Sequence, residues 1–120
     1  MVNMQRLMLK SKIHGVTITG KQLHYKGSIT LDKNLLKAAD ILPGEQVHVL
    51  NLNTGARFIT YAISARVAGS GAVVLNGPAA RLGEIGDKII VLSYCQYEND
   101  EARKIKPNIV HVDDKNSMAV

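Results

Sequence analysis

Ten glycines and three prolines cut this chain into short runs rich in Val, Ile and Thr. That punctuation constrains the fold more than any other feature, because no long helix survives it and short strands do. Leu7 to Ile13 alternates loosely and Val16 to Thr19 is β-branched, so both read as strands joined near His14-Gly15. Leu23 to Tyr25 and Ser28 to Leu31 read as short strands on either side of Gly27. Asp32 is a good N-cap for a short helix whose buried face is Leu35, Leu36 and Ala39. Pro43-Gly44 fits the centre of a type II turn. Val47 to Asn51 and Arg57 to Ile63 then read as strands around the hairpin loop Asn53-Thr54-Gly55. Ala72 to Leu75 is a strand that stops at Asn76-Gly77-Pro78, followed by one helical turn over Ala79 to Leu82. Lys88 to Tyr94 is the most apolar strand and is expected to be central. A helical turn over Glu98 to Arg103, capped by Asn99 or Asp100, precedes a last strand, Ile109 to Val112. From Asp113 the polar tail is expected to fray. Many short strands with one or two short helices point to a small β-barrel, a single domain over residues 1–120.

Composition narrows the chemistry. There is no Trp and one Phe, so the core must be aliphatic. Cys95 stands alone, which excludes an intrachain disulfide and suits a buried thiol in a cytoplasmic protein. Met1 to Lys12 has no apolar run of signal-peptide type, and no stretch is long enough to span a membrane. His14, His24, His48 and His111 are dispersed without metal-ligand spacing. The net charge of +5 suits nucleic acid or a small anion. The cations are scattered and aromatics are 4%, which favours the small anion.

Gly27-Ser28 is open to two readings. Alone, it is a turn. It is also a bond that can break itself, because a Ser hydroxyl follows a carbonyl that no side chain shields. Lys12 and His14 share a strand face, and so do Arg57, Ile59 and Tyr61. Arg57 and Tyr61 would lie about 13 to 14 Å apart along that face. Each is unremarkable alone.

Together, the words SKIH (Ser11 to His14), LHYKGSIT (Leu23 to Thr30), NTGARFITY (Asn53 to Tyr61) and LNGPAARL (Leu75 to Leu82) change the reading. From about Met4 to Val112 the chain resembles the pyruvoyl-dependent aspartate 1-decarboxylases. The resemblance implies a mainly β, six-stranded double-psi β-barrel with short helices, assembled as a homotetramer with active sites between subunits. It implies self-cleavage at Gly27–Ser28 into residues 1–27 and 28–120, with Ser28 becoming a covalent pyruvoyl group. That ketone condenses with the amine of L-aspartate and serves as the electron sink for loss of CO2, giving β-alanine for pantothenate and coenzyme A. By resemblance, Tyr61 is the proton donor, Arg57 anchors a substrate carboxylate and Lys12 is a second cation. Thr60 touches substrate and polarises the scissile carbonyl, and Asn76, Gly77, Pro78 and Ala79 form the substrate loop. His14 and Tyr25 surround the pocket, and a maturation factor is a possible partner.

Simple alternation sets Thr60 opposite Tyr61, so either a twist brings both to one site or they serve two. The loop reads NGPAA where NGAAA is common, so Pro78 offers no N–H. Position 50 is Leu where some members have Trp. The rival reading is a swapped-hairpin DNA-binding barrel, suggested by the strand–helix–turn–strand unit Ser28 to Asn51 and the positive charge. A third is a partner-binding barrel that never cleaves.

Overall fold

The computed structural model describes residues 3–118. Met1, Val2, Ala119 and Val120, which the single-domain expectation includes, lie outside the described residues. The strands are β1 (Gln5–Thr17), β2 (Gly20–Gln22), β3 (Ser28–Leu31), β4 (Gln46–Asn51), β5 (Arg57–Ser64), β6 (Val73–Asn76), β7 (Lys88–Glu98) and β8 (Asn108–His111). The helices are α1 (Lys33–Ala39), α2 (Asn99–Ala102) and a 3-10 turn, Gly77–Arg81.

The strand order is β2-β6-β3-β5-β4-β7-β1-β8. β1 and β2 stand near opposite ends of that order, yet only Ile18 and Thr19 separate them in the chain. Two residues span little more than 7 Å, so the sheet has to roll up. The seam is hydrogen-bonded: Thr19 N donates to Val73 O at 2.8 Å, and Ile18 N to Asp87 O at 2.9 Å. The result is a mainly β barrel, with the short strands β2 and β8 as additions at the two ends of a six-stranded body. Ile13, Ile29, Leu31, Val49, Leu75 and Ile89 fill its interior, all fully buried. β7 is central, between β4 and β1, as its apolar run predicts.

α1 forms as expected, with Asp32 Oδ1 accepting from Asn34 N at 2.9 Å. The Pro43-Gly44 turn closes through Glu45 N donating to Leu42 O at 3.0 Å. Asp32 does more than cap. Its carboxylate, 2% exposed, also accepts from Gly69 N at 3.0 Å and Gly71 N at 2.7 Å, clamping the 69–71 loop onto the helix start. Burial pushes this carboxyl up, and the N–H donors of Gly69, Asn34 and Gly71 outweigh it, so its pKa falls below the ordinary value. A depressed carboxyl contributes stability above its unfolded pKa, and that contribution is lost as pH falls through the folded value. Asp32→Ala is expected to cost on the order of 3 kcal/mol at pH 7, from a lost cap and two buried N–H groups left unpaired. The gap between wild type and variant should close below about pH 4, where the unfolded carboxyl protonates; urea titrations at pH 7 and pH 3 measure both quantities.

Four local expectations are corrected. Leu7 to Ile13 and Val16 to Thr17 form one strand, because β1 runs through Gly15 by a register shift between His14 and Val16. Leu23 to Tyr25 is a turn. β2 runs parallel to β6 on one edge and β3 antiparallel on the other, so residues 23–27 must cross the end of β6 and reverse direction. α2 starts at Glu98 as N-cap, with no side-chain cap bond from Asn99 or Asp100. The tail beyond Asp113 is pinned rather than frayed. Asn116, 2% exposed, donates Nδ2 to Thr17 O and Gly71 O at 2.9 and 2.8 Å, and its Oδ1 accepts from Thr17 N at 2.8 Å. Those pairings satisfy backbone groups of two otherwise separate segments. Cys95 is also half-buried on β7, not part of the core.

Candidate active site

The scissile-bond candidate sits where two ladders meet. β3 pairs with β6 so that Ser28 faces Asn76, and β2 pairs with β6 so that Gln22 also faces Asn76. The 23–27 loop therefore passes over the end of β6 and re-enters the sheet at Gly27-Ser28. Gly77, at φ +63, lies directly beneath it. A Cβ there would sit 2.5 Å from Tyr25 O and 2.9 Å from both Gly27 N and Gly27 Cα. Only glycine allows both this backbone conformation and this close approach.

On its other edge β3 runs parallel to β5, starting at Ile29 opposite Ala62. Continued backwards, that register sets Ser28 beside Tyr61 and Gly27 beside Thr60. The pairing stops just there, and the gap is a cleft of about 320 Å³ lined by Gly27, Phe58, Thr60, Tyr61, Pro78 and Ala79, among others. The alternation along β5 holds: Arg57, Ile59 and Tyr61 are exposed, whereas Phe58 and Thr60 are half-buried and Ala62 is buried. Thr60 and Tyr61 nevertheless border one cleft, which answers the question that alternation left open. Pro78 stands in the first turn of the 3-10 segment, where a missing N–H is tolerated. Its Cδ lies 3.5 Å from where a Cβ on Gly27 would be, so it packs over the Gly27 backbone.

Ser28 is fully buried, and its Oγ accepts a hydrogen bond from Asn76 Nδ2 at 2.9 Å. The second proton of the same amide goes to Thr30 Oγ1, also at 2.9 Å. Asn76 is itself 3% exposed. Thr30 was not legible as a site residue, since a β-branched residue in a strand explains itself; its only signal is that it shares a face with Ser28. Tyr25, exposed in the crossing loop, lines a second cavity of about 440 Å³ with Thr30 and Asn76.

Arg57 lies on the exposed face of β5, opposite Leu50 of β4, so the Leu50 departure bears directly on the neighbour of this cation. Lys12 and His14 share the outer face of β1, with buried Ser11 and Ile13 between and before them. The His14 ring is 5.9 Å from that of His111 on β8. Among the described residues, neither Lys12 nor Arg57 pairs with a carboxylate. Within one chain, Lys12 and His14 are not brought to Ser28. β1 lies four places from β3 in the strand order, on the far wall of the rolled sheet.

The model of the family described as aspartate decarboxylase matches residues 4–119. The chain belongs to the aspartate decarboxylase family. Among curated relatives, "Aspartate 1-decarboxylase" of Thermoanaerobacter pseudethanolicus is 54% identical over 113 residues, covering 94% of this chain and 96% of the relative. "Aspartate 1-decarboxylase 1" of Gloeobacter violaceus is 60% identical over 115 residues, covering 96% and 97%. Among solved structures, the rationally designed protein mkDPBB_sym_86 aligns over 67% of this chain and 91% of its own, with TM-score 0.49 and 16% identity. That likeness is too loose to add to the strand pairings above. No helix among the described residues is long and apolar enough to cross a membrane.

Proposed function

We propose that this aspartate decarboxylase family member cuts itself at Gly27–Ser28 and then converts L-aspartate to β-alanine and CO2 with the pyruvoyl group made from Ser28. The observation that carries the reading is the convergence at one bond: an unshielded Gly27 carbonyl at an open cleft, and a buried Ser28 hydroxyl on the Asn76 amide. In maturation, Ser28 Oγ bonds to the Gly27 carbonyl carbon. The bond from that carbon to Ser28 N breaks, and the hydroxyl proton passes to the nitrogen. Loss of the Ser28 Cα proton then expels residues 1–27 as a carboxylate and leaves dehydroalanine. Addition of water releases ammonia and leaves the ketone. Thr60, beside Gly27 by register, is placed to polarise the carbonyl under attack.

The residues present suit a pyruvoyl group at position 28: a small buried side chain, an amide donor beside it and a cleft for substrate on the Tyr61 side. When formed, that group supplies an electron sink, a ketone conjugated to an amide. Asn76, Thr60 and the Gly77-Pro78-Ala79 turn would hold it. Arg57, with a forked guanidinium, grips the substrate carboxylate that stays. Tyr61 returns a proton from its hydroxyl to the carbon that lost CO2. Lys12 and His14 complete the pocket from another copy of the chain, which fits their position on the far wall of this one. The enzyme works as a homotetramer in the cytoplasm, with a maturation factor as a possible further partner. The DNA-binding alternative finds no favour in the family match.

The test is the intact mass of the denatured protein together with β-alanine production from aspartate. Two polypeptides, 1–27 and 28–120, the larger without a free amine, are expected; one uncut chain after prolonged incubation would sink the reading. Tyr61→Phe should still cleave, yet lose about 100-fold or more in kcat. Arg57→Ala should lower kcat/KM about 10- to 100-fold, largely through KM. Both are read by steady-state assay on fully cleaved protein.

A further inference from the structure

We propose that Thr30 is a positioning residue for self-cleavage: its hydroxyl fixes the Asn76 amide with the nitrogen end toward Ser28 Oγ. This rests on the reading of Gly27–Ser28 as a self-cleaving bond. Ser28 and Asn76 are directly opposite across the antiparallel β3–β6 pair, and Thr30 is the diagonal neighbour on the same face. The Asn76 Nδ2 stands 2.9 Å from each hydroxyl oxygen, which accounts for both of its protons.

The orientation matters chemically. An amide that donates to Ser28 Oγ stabilises negative charge building on that oxygen and leaves its proton free to reach the departing nitrogen. Turned over, the amide oxygen would accept the Ser28 proton and hold it back. Ser28 alone does not choose between the two orientations, since a hydroxyl both donates and accepts. Thr30 adds a second contact on one end of the amide, in a position where Asn76 is nearly closed to water. The Thr30 side chain, in turn, is kept in place by its strand and by β-branching, which leaves few rotamers. Thr30 also borders the 440 Å³ cavity, where its own proton can find a partner.

The experiment follows the appearance of the 28–120 chain by intact mass in freshly purified wild type, Thr30→Val and Thr30→Ser. Thr30→Val, nearly the same shape without the hydroxyl, is expected to slow cleavage about tenfold. Thr30→Ser should restore the rate to within about twofold. In an Asn76→Ala background, Thr30→Val should add almost no further slowing, because its effect runs through that amide. A Thr30→Val protein that cleaves at the wild-type rate overturns the proposal. So does a Thr30→Ser protein as slow as Thr30→Val, or full additivity with Asn76→Ala. Should Thr30→Val fail to fold, Thr30→Ala enters the same cycle with the same criteria. Failure of wild type itself to cleave would instead overturn the reading of the Gly27–Ser28 bond.

Discussion

Ser28→Ala is expected to remain a single 120-residue chain and to make no β-alanine from aspartate. The substitution removes one atom, Oγ, and that atom has two tasks. It is the nucleophile that opens the Gly27–Ser28 bond, and its loss with the leaving chain generates the ketone. Nothing else in the site can replace it, since Thr30 Oγ1 is two residues further along the strand, past the scissile carbonyl. The fold should survive. Ser28 is fully buried at the start of β3, and Ala fits the same space with the same strand pairing to Asn76. Asn76 keeps Thr30 as a partner, so only one of its two amide protons is orphaned. That cost is about 1 to 3 kcal/mol, well short of unfolding a typical domain. Intact mass, a thermal melt and an aspartate assay on one preparation separate the outcomes. A folded, uncut variant without activity is expected; retained decarboxylation would mean that the chemistry needs no pyruvoyl group.

The sequence made some of this site legible and hid the rest for physical reasons. Strand alternation along Arg57 to Ser64 is local, so the faces of Arg57, Thr60 and Tyr61 could be read in advance and agree with the burial pattern. The turn at Pro43-Gly44 and the cap at Asp32 are likewise local, carried by residues next to one another. The crossing of residues 23–27 over the end of β6 was not legible, because it depends on β2 and β3 flanking one distant strand in opposite directions. Val-like strand propensity at Leu23 to Tyr25 gave the wrong element for that reason. Asn116 was missed in the same way: a polar residue in a polar tail carries no sign that its amide joins Thr17 to Gly71. Thr30 belongs with these, since its role comes from a side chain 46 positions away.

Gly77→Ala is the second large effect, and it tests the geometry rather than the nucleophile. At φ +63 an alanine pays about 1 to 2 kcal/mol for the left-handed conformation alone. Its Cβ would also lie 2.5 Å from Tyr25 O and 2.9 Å from Gly27 N and Cα, all backbone atoms that no rotamer change can move aside. The 25–27 segment must therefore lift, and it carries the carbonyl that Ser28 attacks. Misplacing a reacting group by about 1 Å costs on the order of 100-fold, so cleavage should slow by at least that much, while the barrel core, remote from the loop, still forms. Gly86→Ala is the matched control. It has φ +98 and open space around the added Cβ, so it carries the conformational penalty without touching the 25–27 loop. Both variants should melt a few degrees low, and only Gly77→Ala should accumulate uncut chain. Equal cleavage rates in the two would show that close passage of the loop over Gly77 has no part in breaking the bond.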